Sequence, residues 1–284
     1  MSDPTGPVSA ELDLERRDRR GWALARVVYL GIPAIFFVLL CWIGLASRHP
    51  GPALALAIPA AMFVINLRQM RKNRYLPMRW PVAGYVGGGI TGLVVSLSTI
   101  VLDFDWLVTL FLVAMFGGAL IGRALGNAGN RAVSMPPGPD LAESPYELIY
   151  RLRSPRNMVL VLNQDKLAIK ALILRRSPND VNRTGLGVGP DYPIEAITGT
   201  HEVSLSGAER LKFPVDLQTR PQSSPGPALI VQLKGIDWVL PIRHAAGLAA
   251  LISRRAELRR TQVEQELLAA LEADGPEESD HRTE

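Results

Sequence analysis

Hydrophobic positions along this chain change rhythm once: between residues 22 and 122 they form long runs, and from residue 146 onward they form short ones separated by turn-forming residues. The first long run goes from Ala25 to Ala46, is interrupted near its start by Arg26, and carries no charge from Val27 to Ser47. About 21 residues at ~1.5 Å per residue make a helix of roughly 31 Å, which matches a hydrocarbon core. Pro33, early in the run, is tolerable there because neighbouring helices can satisfy the carbonyl it frees. A cleavable signal peptide also places arginines before an apolar stretch, but that stretch is about 7–15 residues long and further spans are not expected after it. Three more uncharged runs follow, from Pro52 to Leu67 (the shortest, containing Pro59 and Asn66), from Val82 to Leu102, and from Trp106 to Gly122. The pattern predicts four membrane-spanning helices within residues 22–123.

The connecting segments set a direction, because translocating short Arg-rich loops is unfavourable. Arg16, Arg17, Arg19 and Arg20 precede the first run; Arg68, Arg71, Lys72, Arg74 and Arg79 lie between the second and third; Arg123 and Arg131 follow the fourth. The other two connections hold only Arg48 with His49, and Asp103 with Asp105. The expected location is therefore the cell membrane, crossed several times, with both termini cytoplasmic. This alternation also supports the short second span, since without it the two arginine groups would fall on opposite sides. Trp22, Trp42, Trp80, Tyr85 and Trp106 stand near the run ends, where amphipathic rings favour the interface.

No charge lies inside any of the four runs, whereas transport pathways place ionisable groups there when function requires them. Ser96, Ser98 and Thr99 are expected to bond to a neighbouring helix or to their own backbone. Gly84, Gly88 and Gly92 recur every fourth position, as do Gly118 and Gly122. Small faces of this kind let helix backbones approach closely, within one chain or between copies, so a homo-oligomer stays open.

From Gly126 to Pro145 the sequence GNAGNRAVSMPPGPDLAESP reads as a linker, set at 124–145. The short-run region beyond it predicts about seven strands: Met158–Leu162, Leu167–Leu174, Tyr192–Ile197, His201–Leu205, Leu211–Val215, Ala228–Leu233 and Ile236–Ile242. Asn163-Gln164-Asp165 and Lys234-Gly235 supply hairpin turns. A helix is expected from near His244 to about Ala273, its early part apolar enough to cover an open end of a sandwich and its later part charged. Gly275 and Pro276 end it. The expected organisation is a cytoplasmic segment 1–21, a transmembrane domain 22–123, the linker, a cytoplasmic domain 146–273 and a disordered tail 274–284.

The succession NMVLVLNQDKLAI, YPIEAITGTHEV and ALIVQLKGIDWVLPIRHAAGLAALI resembles the pleckstrin-homology-like (PH-like) domains carried by bacterial multi-pass membrane proteins. The likeness covers roughly residues 146–256 and implies a β-rich barrel or sandwich capped by a C-terminal helix, acting as a binding module. Two inserts, Arg175–Pro190 and Gln218–Pro227, depart from it. The basic cluster in the first strand loop that marks phosphoinositide-binding members has no convincing counterpart.

Composition narrows the chemistry. One cysteine, Cys41, permits neither an intrachain disulfide nor a thiolate metal cluster, and four scattered histidines make no dense imidazole site. The net charge of +4 comes from arginines flanking apolar runs, without the aromatic-plus-basic pattern of a nucleic-acid surface. Gly185, Gly187 and Gly189 form no dinucleotide loop, because Pro190 follows where a helix should start. Asn182 and Thr184 match a glycosylation sequon by chance if the domain is cytoplasmic. Asp103 and Asp105 alone make a poor cation site. His244 has no partner carboxylate nearby in sequence. No catalytic residue, cofactor or metal is expected. Arg151, Arg153, Arg156, Lys166, Lys170, Arg175 and Arg176 make the start of the cytoplasmic domain basic, either a face for anionic lipid or a partner, or a solvated surface. The expected function is a membrane-fixed scaffold, with membrane lipids and a membrane or cytoplasmic protein as partners. The alternative is a small transporter or channel subunit whose third and fourth helices line a pathway.

Overall fold

The computed structural model describes residues 7–47, 57–100, 111–155, 158–171, 191–207 and 224–273. They divide into two units: Met1–Pro136 with Pro145–Ile149, and Pro137–Ser144 with Tyr150–Glu284.

The first unit is helical. Helix α1 (Pro7–Arg26) passes through a single π-turn at Val27–Gly31 into α2 (Ile32–Ser47) without a break. The widened turn has a local cause: Pro33 has no N–H to give the Tyr29 carbonyl four residues back, and its ring would press against that oxygen. The π-turn buries Val28 and Tyr29. Helices α3 (Ala57–Lys72), α4 (Trp80–Ile100) and α5 (Phe111–Ser134) follow, with a 3-10 turn at Pro77–Arg79 leading into α4. Two helical stretches, Leu12–Leu39 and Leu112–Ser134, are long and apolar enough to cross a hydrocarbon core.

Helices α4 and α5 meet antiparallel along their glycines. A Cβ added to Gly84 would overlap the carbonyl oxygen of Gly122, one on Gly88 that of Gly118, and one on Gly92 that of Ala114. Gly87 and Gly117, one position away, would meet nothing within 4 Å. The seam is therefore backbone against backbone within a single chain.

The linker expected at 124–145 is shorter than the sequence suggested, because α5 continues through Gly126 and Gly129 to Ser134. Glycine and asparagine are poor helix formers, but here the two glycines are the small residues the contacts demand. Gly126 lies against the backbone of Trp80 and Pro81, and Gly129 against the Trp80 ring, the Leu24 side chain and Gly21. Tertiary packing thus overrides local propensity.

The second unit holds a 3-10 turn at Pro139–Leu141 and two antiparallel sheets. One sheet has the order β1-β2-β3-β4, formed by Leu148–Arg151, Met158–Leu162, Lys166–Ala171 and Asp191–Pro193; the other has β5-β6-β7, formed by Ile197–Leu205, Gly226–Leu233 and Ile236–Pro241. Strand β1 was not anticipated, and Leu211–Val215 lies outside the described residues. The stretch expected as one strand over Tyr192–Ile197 instead ends β4 at Pro193 and turns through a 3-10 helix at Ile194–Ala196. Pro193 holds φ at −63° and has no N–H for a ladder, so the strand stops there. Gly235, at φ +80°, makes the β6–β7 turn. The sheets join at one corner, where Leu152 bridges Ile242 and the Arg153 N–H donates to the Pro241 carbonyl at 2.7 Å.

Helix α6 (Ala245–Ala273) closes the unit, with Ala245, Leu248, Leu251, Ile252 and Ala256 buried. The core beneath it contains Leu160, Leu162, Leu167, Ile169, Val231, Trp238 and Leu240, all inaccessible to solvent. The Thr200 hydroxyl donates to the Ala249 carbonyl at 2.8 Å and lies 2.6 Å from the Ser253 hydroxyl, fixing α6 to β5.

Candidate functional site

The basic residues between α3 and α4 form a folded junction rather than a loose loop. Asn73, 6% exposed, ends α3 and is central to it. Its Nδ2 donates to the Tyr29 hydroxyl at 3.1 Å, its Oδ1 accepts from Arg79 at 3.2 Å, and its carbonyl accepts the Trp80 indole N–H at 3.0 Å. The Arg74 guanidinium stacks over Trp22 at 5.4 Å and over Tyr75 at 5.3 Å, while Arg26 sits over the same Trp22 ring at 5.6 Å. Arg68, Arg71 and Lys72 are exposed on α3, and Arg123 is exposed on α5. Of the basic residues in this junction, Arg74 and Arg79 therefore have structural partners as well as a bearing on topology. Asn73 was missed because a single asparagine among arginines carries no spacing signal.

Tyr146 is a second buried polar group of the helical unit. Its hydroxyl donates to the Asp18 carboxylate and its ring meets Tyr75 edge-on at 5.8 Å. Burial, and then the bond to Asp18, push the phenol well above its ordinary value of 10. An acid whose pKa rises on folding binds its proton more tightly in the folded state. Its contribution is therefore full below pH 10 and is lost as the pH climbs above it. In alkaline titration Tyr146 should give its tyrosinate absorption well above the ordinary value, and Asp18→Asn should bring that ionisation to lower pH; ionisation of all the tyrosines together near pH 10 would refute the assignment.

In the second unit, the basic face expected over its first third is only partly assembled among the described residues. Arg151 and Lys166 are exposed. Lys170 pairs with Asp191 across β3 and β4 at 3.5 Å. The Arg153 guanidinium donates to the carbonyls of Pro225 at 2.6 Å and Pro227 at 2.8 Å, so it anchors the entry to β6. Arg156, Arg175 and Arg176 lie outside the described residues, as do Asp103, Asp105, Asn182 and the glycines 185, 187 and 189; nothing is described of the side chains of Ser96, Ser98 and Thr99. His244 is exposed at φ +60°, and its carbonyl accepts the Leu248 N–H to begin α6. Among the described residues no group of three or more His, Cys, Asp or Glu could hold a metal.

Beyond the sheets α6 continues with every side chain from Thr261 to Glu272 exposed. About 12 residues at ~1.5 Å each give a projection of roughly 18 Å. Val263, Leu267 and Leu271 recur at every fourth position on one side of it, and Leu267 and Leu271 are 61% and 62% exposed. Glu264, Glu266 and Glu272 flank them. Val263, Leu267 and Leu271 thus form a three-residue apolar stripe, the arrangement that helix–helix contacts use.

No protein-family model, curated protein or solved structure matches the chain. Its functional reading rests on its own residues.

Proposed function

We propose that the protein is an integral membrane scaffold: four helical spans with both termini cytoplasmic, carrying a PH-like C-terminal domain that binds another protein and performs no catalysis. The observation that carries the membrane part is the outward face of the helical unit. Ile35, Val38, Trp42 and Leu45 on α2, Phe63 and Ile65 on α3, Val82 and Val86 on α4, and Val113, Phe116 and Ile121 on α5 are all exposed large apolar side chains. An apolar exterior of this extent is unfavourable in water and suits a lipid environment. The two sheets and closing helix of the second unit agree in element order with the PH-like resemblance.

The partner contact is assigned to the projecting end of α6. Its glutamates disfavour an anionic bilayer, which leaves a protein helix as the occupant of the stripe. Burying two leucines contributes about 2 kcal/mol each, so Leu267→Glu with Leu271→Glu should weaken capture of the partner by more than about a hundredfold. The test is affinity purification of the intact protein from detergent extracts, with and without the double substitution. Loss of specific copurifying proteins is the expected result, and identical sets from both proteins would overturn the assignment. The transport reading gains no support from α4 and α5, whose backbones touch along the glycine seam and leave no opening there.

A further inference from the structure

The helical unit carries an open cleft of about 390 Å³ lined by Asp13, Arg16, Arg17 and Arg20 of α1 and by Ala132, Met135 and Pro136 at the end of α5. Three guanidiniums face one carboxylate there, an excess of two positive charges, and the opposite wall is apolar. Arg17 donates to the Pro136 carbonyl at 2.6 Å, which ties the two walls together, and Arg16 lies 3.5 Å from Asp13 in an exposed pair. Arg20 is exposed.

Depth gives the cleft its meaning. Trp22, which meets Trp80 at 6.4 Å and lies under Arg26 and Arg74, has the surroundings of an interfacial ring. Arg20, Arg17 and Arg16 precede it by two, five and six positions on a continuous helix, so they stand about 3, 7.5 and 9 Å further along the axis toward the polar side. The headgroup layer occupies roughly 5–8 Å outside each face of the hydrocarbon core. Arginines at that level, beside an apolar wall formed by Met135 and Pro136, offer charge to a phosphate and a greasy surface to the glycerol and upper acyl chain. We propose that this cleft binds the phosphate of an anionic phospholipid of the cytoplasmic leaflet, anchoring α1 against α5. The proposal rests on the membrane reading above.

Two arms separate the failure of one from the failure of the other. Alkaline carbonate washing of membranes tests insertion: protein released into the wash ends the membrane reading and this proposal with it. Retained protein, purified intact in detergent, is then titrated with fluorescent phosphatidylglycerol and with fluorescent phosphatidylcholine. Saturable binding of the first alone is expected. Each basic group near a surface contributes about 1 kcal/mol, so Arg16→Gln with Arg20→Gln should weaken binding by about thirtyfold, while Arg151→Gln in the other unit leaves it unchanged. Asp13→Asn removes the cleft's carboxylate and should tighten binding by about fivefold, a gain that misfolding cannot imitate. Equal binding of both lipids, unchanged affinity in both cleft variants, or displacement of the lipid by equimolar inorganic phosphate would overturn the proposal.

Discussion

Replacing Gly88 by alanine is expected to destabilise the helical unit by more than about 3 kcal/mol, although the same replacement in an ordinary helix is stabilising. The added methyl would fall on the carbonyl oxygen of Gly118, and that oxygen belongs to the backbone of the facing helix, which cannot swing aside as a side chain would. Separating α4 from α5 by the thickness of a methyl also loosens Gly84 from Gly122 and Gly92 from Ala114, so one substitution opens the whole seam. Gly118→Ala should behave alike. Gly87→Ala and Gly117→Ala provide the controls, since a Cβ at either meets nothing within 4 Å. The measurement is the monodisperse fraction and thermal midpoint of the intact protein in mild detergent. Equal losses at Gly87 and Gly88 would show that the seam is not where these helices touch.

The second large effect concerns Arg255, a fully enclosed guanidinium on α6 that is 2% exposed. Backbone holds it: it donates to the carbonyls of Leu141 at 3.0 Å, Ser144 at 3.1 Å and Leu162 at 3.3 Å, and to the Ser144 hydroxyl at 3.2 Å. It thereby ties the 3-10 turn and the end of β2 to the closing helix. Burial pulls its pKa down to about 10, so the group is still charged at neutral pH. A base whose pKa falls on folding releases its proton sooner in the folded chain. Its desolvation penalty is therefore relieved as the pH rises from about 10 toward 12.5. Apolar replacement of a buried ion pair can be neutral when both partners go, but three backbone carbonyls cannot be removed. Arg255→Met should therefore cost about 3–5 kcal/mol, and Arg255→Lys somewhat less, because a single ammonium cannot reach all three oxygens. Hydrogen exchange of the intact protein, followed over residues 137–162, should show protection lost in Arg255→Met; protection equal to the parent would contradict this role.

These two effects differ in how far the sequence foretold them. The glycines at 84, 88, 92, 118 and 122 were legible because spacing by four on a helix is a one-dimensional signal of a single face. Arg255 was not, since it sits in a run of charged residues on α6 and only the fold reveals that its position lies over the turn at Pro139–Leu141. The β2–β3 and β6–β7 hairpins were readable from Asn163-Gln164-Asp165 and Lys234-Gly235, where turn chemistry is local. The short strand β1 depends on long-range pairing and was missed, whereas the break at Pro193 has a local cause, the missing N–H, that the apolar pattern of Tyr192–Ile197 masked. The end of α5 was misplaced for the same reason: Gly126 and Gly129 look like loop residues until Trp80 and Gly21 are brought against them. In the basic face, Lys166 and Lys170 stand four apart on β3 and so share a side, but nothing in the sequence discloses that Asp191 pairs with Lys170.

The central claim is that uncharged runs lie in a bilayer while the arginine-rich connections, 68–79 among them, remain on its cytoplasmic side. Single cysteines introduced as Lys72→Cys and Arg48→Cys in a Cys41→Ser background, challenged with a membrane-impermeant maleimide on intact cells, test it most directly. Labelling of the Arg48→Cys protein in intact cells, with the Lys72→Cys protein labelled only after permeabilisation, is the predicted result; labelling of Lys72→Cys from outside would contradict it.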